Sequence, residues 1–89
     1  MTCNEKEMLM GFILTNLSIL ENDVITLKNN LALGRCGIPD LNELLIAQIK
    51  VVSFLQFSSA IMYILRLDVN DYSVVRDLKE KYKVEFNCL

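Results

Sequence analysis

Three pairs of closely spaced carboxylates are the side chains in this sequence that could perform acid–base chemistry. The pairs are Glu5 with Glu7, Glu21 with Asp23, and Asp40 with Glu43. Two carboxylates in different environments can act as general acid and general base. However, Glu5, Asp40 and Glu43 fall where helices are expected to begin, and negative charge there interacts favourably with the helix dipole. Because Glu21 and Asp23 are two residues apart and point to different faces of a helix, the pattern predicts no catalytic residue and a protein that is not an enzyme.

The sequence contains no histidine and three cysteines, which limits metal and redox chemistry. Histidine is the usual acid–base side chain at neutral pH and a common ligand of zinc and of diiron helical bundles. The cysteines are Cys3, Cys36 and Cys88, an odd number without C-x-x-C spacing. Cys36 follows Arg35, and a positive neighbour can make a thiol more reactive, but no second ligand is expected nearby. We therefore expect no metal, no cofactor, and free thiols in a reducing cytoplasm.

The charge balance argues against nucleic-acid binding. Nine basic and eleven acidic residues give a net charge of −2, whereas binding to a duplex relies on a basic surface. One basic group occurs near the C-terminus, but acidic residues alternate with it: Arg76, Asp77, Lys79, Glu80, Lys81 and Lys83. We interpret this group as a solvated helix face, and we expect no nucleic-acid partner.

The first element is predicted to be a long helix from about residue 3 to residue 33. Thr2 and Glu5 can form a capping box at its start, and Gly34 can adopt the left-handed conformation that ends many helices. Apolar residues recur in steps of three and four, which is the heptad spacing of a helix packed against another helix. These seam residues are Met10, Ile13, Leu17, Leu20, Val24, Leu27 and Leu31. Gly11, inside the helix, could permit the close approach of a neighbouring helix.

A second helix is predicted from about residue 41 to residue 67, after a turn at 34–40. Pro39 cannot continue the first helix, and Asp40 with Glu43 can form a second capping box. This helix is apolar on nearly every side, which is typical of a buried helix. Three polar side chains interrupt it, and we expect them to pair with polar groups of the first helix or of a partner chain and so to fix the register. They are Gln48, Lys50 and Gln56, and the groups on the first helix are Asn16, Asn22 and Asp23.

The C-terminal segment is predicted to hold a short third helix and a strand-like tail. The helix should run from about residue 71 to residue 81, with Asp68 or Asn70 as its cap. Its inward side chains should be Val74, Val75 and Leu78. From Tyr82 to Asn87, aromatic and β-branched residues alternate with polar ones, which is the period of a half-buried strand. Residues 82–89 therefore either pair with a strand of another chain or lie over the helices as an extra turn or tail.

Length and composition predict a single helical domain that needs a further contact. The chain has 89 residues, of which 53% are hydrophobic, and a domain of this size hides only about 60% of the surface of its unfolded chain. The predicted fold class is all-α: one domain over residues 1–89, with a long antiparallel helical hairpin, a short third helix and an extended C-terminal tail. Pairing of two hairpins into a four-helix bundle would cover the remaining apolar surface.

We interpret the chain as a small cytoplasmic protein–protein interaction module, that is, a regulator, inhibitor or adaptor. Its partner would be a second copy (a homodimer), a protein of the host, or both. The candidate interaction residues are the seam residues of the first helix together with Lys50, Phe54, Gln56 and Phe57 of the second. The alternative is a membrane-associated hairpin with Met8–Leu20 and Leu44–Leu65 in the bilayer, although polar groups inside such a span are costly. A small helical enzyme is the third alternative.

Overall fold

A computed structural model describes residues 3–34 and 38–86 of the chain, and the described side chains are those of residues 4–34 and 41–86. Within these residues all regular structure is helical, which confirms the predicted all-α class. The elements are α1 (Cys3–Ala32), α2 (Ile38–Ile64), a short 3-10 turn (Val69–Asp71) and α3 (Ser73–Lys81). The predictions for Thr2, Arg35, Cys36 and Cys88 lie outside the described residues.

Two long helices packed side by side form the body of the molecule. An α-helix rises about 1.5 Å per residue, so the 30 residues of α1 extend about 45 Å. The molecule measures 48 × 22 × 17 Å, and its length is therefore that of one helix. Residues 33–37 can span at most about 20 Å, which is too short to return along that length, so α2 must run antiparallel to α1. A groove lined by residues within 20–27 of α1 and 43–50 of α2 gives the register of the pair.

The seam of α1 forms the centre of the core. Met10, Ile13, Leu17 and Val24 are at most 2% exposed, because their heptad spacing places them on the side of α1 that faces α2. The other buried members of the cluster are Ala47, Val51, Leu55 and Met62 of α2, with Val75, Leu78 and Val84 from the C-terminal part. Full burial of one such side chain contributes about 1.5–3 kcal/mol. Apolar contacts within the chain therefore hold the hairpin together.

The start of α2 differs from the predicted one by three residues. The helix begins at Ile38, so Pro39 lies in its first turn. Proline is well accommodated there, because its missing N–H would have no intrahelical partner in any case. Asp40 is consequently part of the helix rather than the residue that precedes it. The predicted start at residue 41 was wrong because it placed the proline outside the helix.

The two long helices end in the same way, although only one end is visible in the sequence. Gly34 has φ +68° and its N–H donates to the carbonyl of Leu31 (3.0 Å), which confirms its predicted role. At the end of α2, the N–H of Leu67 donates to the carbonyl of Met62 (2.8 Å), and Arg66 has φ +56°. A left-handed residue other than glycine costs roughly 1–2 kcal/mol, so Arg66 gave no stop signal and the predicted end at residue 67 was late.

The segment after α2 differs from the prediction at its cap and at one side chain. The Oδ1 of Asp68 accepts a hydrogen bond from the N–H of Asn70 (2.9 Å), so Asp68 caps the 3-10 turn rather than α3. Val75 and Leu78 are buried as predicted. Val74 is 41% exposed, because adjacent residues of a helix point about 100° apart and the helix turns the side chain of Val75 to the core. The prediction that Val74 faces inward was therefore wrong.

Within the single chain, the described residues that follow α3 form a tail, and their pairing with a strand of another chain stays a prediction. The α3 helix ends with Lys83 at φ +55° and with the N–H of Val84 donating to the carbonyl of Lys79 (2.9 Å). Val84 is 8% exposed and Phe86 is half-buried against the core. Over residues 82–86 the structure assigns no strand, so the segment lies over the helices as a tail, one of the two predicted arrangements.

Gly11 is expected to be a site where stability can be gained. It is exposed, and a Cβ built on it has no atom within 4 Å, so no other described helix of this chain approaches it closely. Glycine inside a helix costs about 0.5–1 kcal/mol relative to alanine. Gly11→Ala should raise the free energy of unfolding by about that amount, as measured by urea unfolding of the two proteins. A loss of stability would instead mean that another helix contacts the backbone here.

Candidate interaction surface

The candidate interaction residues divide between the inside and the outside of the hairpin. Buried inside it are Met10, Ile13, Leu17 and Val24. Half-buried at its edges are Leu20, Leu27, Leu31 and Phe54. The exposed ones are Lys50, Gln56 and Phe57. In this conformation a partner therefore has direct access to the candidates on α2, whereas the centre of the α1 seam is occupied by the chain's own core.

The three polar residues of α2 lie on different sides of the helix. Lys50 lines a groove together with Asp23, one of its expected partners on α1, although within the described residues no carboxylate lies within 4 Å of its amine. Gln48 is half-buried beside the tail, and Gln56 is exposed. The side-chain amide of Asn16, another expected partner, instead donates to the backbone carbonyl of Phe12 on its own helix (2.8 Å). The structure therefore brings together one of the expected pairs, without direct contact.

One long side of the hairpin is covered by α3, and we call it the covered side. The helix lies beside residues 18–25, the middle of α1, with Val74, Asp77 and Leu78 lining the shared groove. After it, residues 81–83 reach the edge of α2 near Val52. The third helix and the tail thus lie across the middle of the hairpin rather than at one of its ends.

Glu21 fixes the end of α3 to α1. Its carboxylate forms an ion pair with the amine of Lys81 and accepts a hydrogen bond from the hydroxyl of Tyr82 (Oε2 to Oη, 2.5 Å). The Glu21 side chain is only 12% exposed, so the contact is partly shielded from water. This carboxylate, considered in the sequence for acid–base chemistry, therefore acts as a structural acceptor. Its partners are 60 and 61 residues away, and no local pattern indicates them.

Tyr82 should make the free energy of unfolding decrease at alkaline pH. Burial, the hydrogen bond to Glu21 and the charge of Glu21 all raise the pKa of its hydroxyl. Above about pH 10, the ordinary pKa of tyrosine, the unfolded chain loses this proton while the folded chain keeps it, so stability is present in full below that pH and falls as pH rises. Between pH 8 and 12, the free energy of unfolding should fall more steeply for the wild type than for Tyr82→Phe. Equal slopes of this free energy against pH would contradict the role given to Tyr82.

The opposite long side of the hairpin, which we call the open side, has no described element packed on it. Near the turn it holds a groove of about 340 Å³ between α1 and α2. The floor is apolar, and Asp23, Glu43 and Lys50 are its charged members. The half of the open side near the turn therefore carries three charged side chains beside apolar ones, among which Ile46 is 52% exposed.

The other half of the open side is apolar. Residues of α2 continue from the groove in steps of three and four: Glu43, Ala47, Lys50, Phe54, Phe57, Ile61 and Ile64. Phe12 lies about two turns before the groove residue Leu20 on α1, opposite this part of α2. We call Phe12, Phe54, Phe57, Ile61 and Ile64 the apolar patch. Its exposed members are Phe12 (58%), Phe57 (53%) and Ile64 (72%), and the rings of Phe54 and Phe57 lie 6.0 Å apart.

Sequence reasoning found Phe54 and Phe57 but missed the other members of the apolar patch. It treated α2 as buried on every side, whereas the single hairpin buries only the side that faces α1. The signal was the second heptad stripe on α2, which begins at Glu43 and ends at Ile64. Apart from Ala47, that stripe is offset from the core residues and could have been read as a second contact face.

The grooves in the described part of the chain are lined mainly by apolar and charged side chains. Nowhere in it do three His, Cys, Asp or Glu side chains gather as metal ligands would. Asp23 and Glu43 share their groove with Thr26, Lys50 and apolar side chains. Neither protein-family models, curated proteins nor solved structures give a match to this chain.

Both long helices also satisfy the length and hydropathy of a membrane span. The spans are Asn4–Ala32 and Leu41–Ile64, and only 22% and 28% of their most apolar windows are buried. Core helices of soluble proteins meet the same criterion, so the observation is weak evidence. It does show that much of the apolar surface of each helix is uncovered in the single chain.

Proposed function

We propose that the chain is a small non-enzymatic protein–protein interaction module, a regulator, inhibitor or adaptor, that acts through the apolar patch. The observation that carries the proposal is the exposure of Phe12, Phe57 and Ile64, each more than half accessible, on one side of the hairpin. Single exposed apolar residues are ordinary, but a contiguous patch next to polar residues marks an interaction site. Two hairpins packed open side to open side would form a four-helix bundle.

The second candidate function, a hairpin inserted in a membrane, is favoured by the length and hydropathy of α1 and α2. The position of α3 opposes it. This helix carries Arg76, Asp77, Lys79 and Glu80 and lies against the middle of α1, which in a spanning hairpin is the centre of the bilayer. Each charge there costs about 2.5–3.5 kcal/mol or more. A protein partner therefore fits this fold better than a bilayer does.

Capture of binding proteins from the native host tests the proposal. The baits are the tagged wild type, the double variant Phe57→Lys/Ile64→Lys, and the control Asn42→Lys at an exposed position of the same helix. We expect the wild type and the control to recover the same partner, including a second, differently tagged copy. The double variant should lose it, because charges cannot be buried unpaired in an apolar contact.

Two outcomes would contradict the proposal. The first is that the chain stays in solution only with detergent and floats with vesicles, which would favour the membrane hairpin. The second is that the double variant retains every partner of the wild type while circular dichroism shows unchanged helicity. The control variant separates the effect of an added lysine from the effect of its position.

A further inference from the structure

We infer that the open side is covered by a second copy of this chain, packed antiparallel about a two-fold axis that passes near Phe57. This inference rests on the proposed function and assigns the occupant of the apolar patch. A two-fold contact requires a surface that is complementary to itself. The observations that bear on it are the division of the open side, the charges on the α2 stripe, and the surface area of the chain.

The open side is divided in a way that suits a two-fold axis. The apolar patch occupies the half away from the turn, and the charged groove occupies the half near it. When one copy is rotated by half a turn about an axis through the patch, the patch meets itself. Phe57 of one copy then lies level with Phe57 of the second copy, and Phe54 lies about one helical turn from it in each copy. Glu43 of each groove then lies about 21 Å from the axis along the helix, beyond the apolar contact, and Lys50 lies at the edge of the contact, level with Ile64 of the second copy.

The charges on the α2 stripe select the antiparallel orientation. Glu43 and Lys50 belong to the same stripe as Phe54 and Phe57. In a parallel pair, Lys50 would face Lys50 of the second copy and Glu43 would face Glu43, and like charges across a contact are unfavourable. In the antiparallel pair these residues are separated along the dimer. Phe54 and Phe57 of the stripe therefore supply the apolar contact, while Glu43 and Lys50 disfavour the parallel arrangement.

The surface area of the chain is consistent with one missing contact of ordinary size. The chain exposes 6064 Å², whereas a compact monomer of 10.2 kDa exposes about 5,300 Å². The excess of roughly 750 Å² reflects the elongated shape of the chain, and a pair that buries the standard area of about 800 Å² per partner would offset it. The molecule is also longer than it is wide, at 48 × 22 × 17 Å, and a side-by-side pair is more compact.

Sedimentation equilibrium of the purified full chain in detergent-free buffer tests the pairing. We expect twice the mass of 10.2 kDa at micromolar concentration. Phe57→Lys and Ile64→Lys should each raise the dissociation constant of the dimer at least about 30-fold, since each places a lysine in the contact. Leu45→Lys is the matched control, because Leu45 is as exposed as Phe57 (57% against 53%) but lines the groove beside the tail. It should change the constant by less than about 3-fold.

Spin-label distances test the orientation. In a chain whose cysteines are replaced by serine, Asn42→Cys places one label on an exposed position near the turn. The antiparallel pair should separate the two labels by roughly 40–50 Å, given a rise of about 1.5 Å per residue and an axis near Phe57. A parallel pair should bring them within about 25 Å. The short distance would overturn the antiparallel arrangement.

The remaining outcomes also decide the matter. A chain that stays monomeric at all concentrations overturns the pairing. If this monomer still captures a host protein through Phe57, the proposed function as an interaction module survives without the dimer. Strict dependence on detergent, or vesicle binding that Phe57→Lys abolishes, assigns the open side to lipid and overturns both proposals. A dimer that Leu45→Lys disrupts and Phe57→Lys does not would place the contact on the covered side. Circular dichroism of each variant checks that the helices are intact.

Discussion

Replacing Leu55 by alanine is expected to lower the free energy of unfolding by about 2–5 kcal/mol. Leu55 has no exposed surface and belongs to the core cluster between α1 and α2. The change removes buried methyl groups and leaves a cavity that the long, straight helices can close only in part. A folded chain of 89 residues has a total stability of roughly 4–13 kcal/mol, so a cost at the upper end of the range would leave much of the chain unfolded at 37 °C.

The measurement is urea unfolding followed by circular dichroism, at one fixed protein concentration because association would itself add stability. The control is Leu45→Ala, which makes the same chemical change on the same helix at a position that is 57% exposed. We expect it to cost less than about 0.5 kcal/mol. Equal losses for the two variants would mean that the side of α2 that faces α1 has been assigned wrongly.

Replacing Glu21 by alanine is expected to release α3 and the tail from α1, at a cost of about 1–3 kcal/mol. The carboxylate accepts from Tyr82 and pairs with Lys81, so its removal leaves a partly buried hydroxyl without its acceptor. The effect should be local. Hydrogen exchange should become faster in α3 and in the residues after it, while amides near Leu17 and Leu55, in the centre of the hairpin, keep their protection.

The variant Glu80→Ala provides the comparison, because Glu80 is an exposed carboxylate on α3 itself. It should leave the exchange of α3 nearly unchanged. The double variant Glu21→Gln/Tyr82→Phe measures the coupling between the two side chains. Additive effects of the two single changes would show that the short contact between Glu21 and Tyr82 contributes little to the docking of α3.

The elements that follow from local spacing could be predicted from the sequence. The α1 seam predicts the buried side of that helix, because a period of three and four residues leaves only one side for packing. Gly34 predicts the end of α1, since glycine adopts positive φ without strain. Pro39 marks the vicinity of the second helix but not its first residue, because proline is compatible with both the turn and the first helical position.

Features that depend on distant residues could not be predicted. Arg66 adopts a left-handed conformation that its residue type does not favour, so the end of α2 is set by packing of Leu67 and the residues after it. The docking of α3 depends on Glu21, which is 60 residues from Lys81. The apolar patch is defined by what the hairpin leaves uncovered: the second stripe of α2 is visible in the sequence, but the side of α2 that packs against α1 is not.

The separation of 60 residues between Glu21 and Lys81 also bears on the order of folding during synthesis. The hairpin needs only residues 33–37 to close, and short connections form fast. It can therefore be complete once Ile64 has been made, while α3 is still to be translated. During that interval both long sides of the hairpin are bare, and transiently exposed apolar surface favours aggregation. Docking of α3 on α1 then covers one of the two long sides of the hairpin.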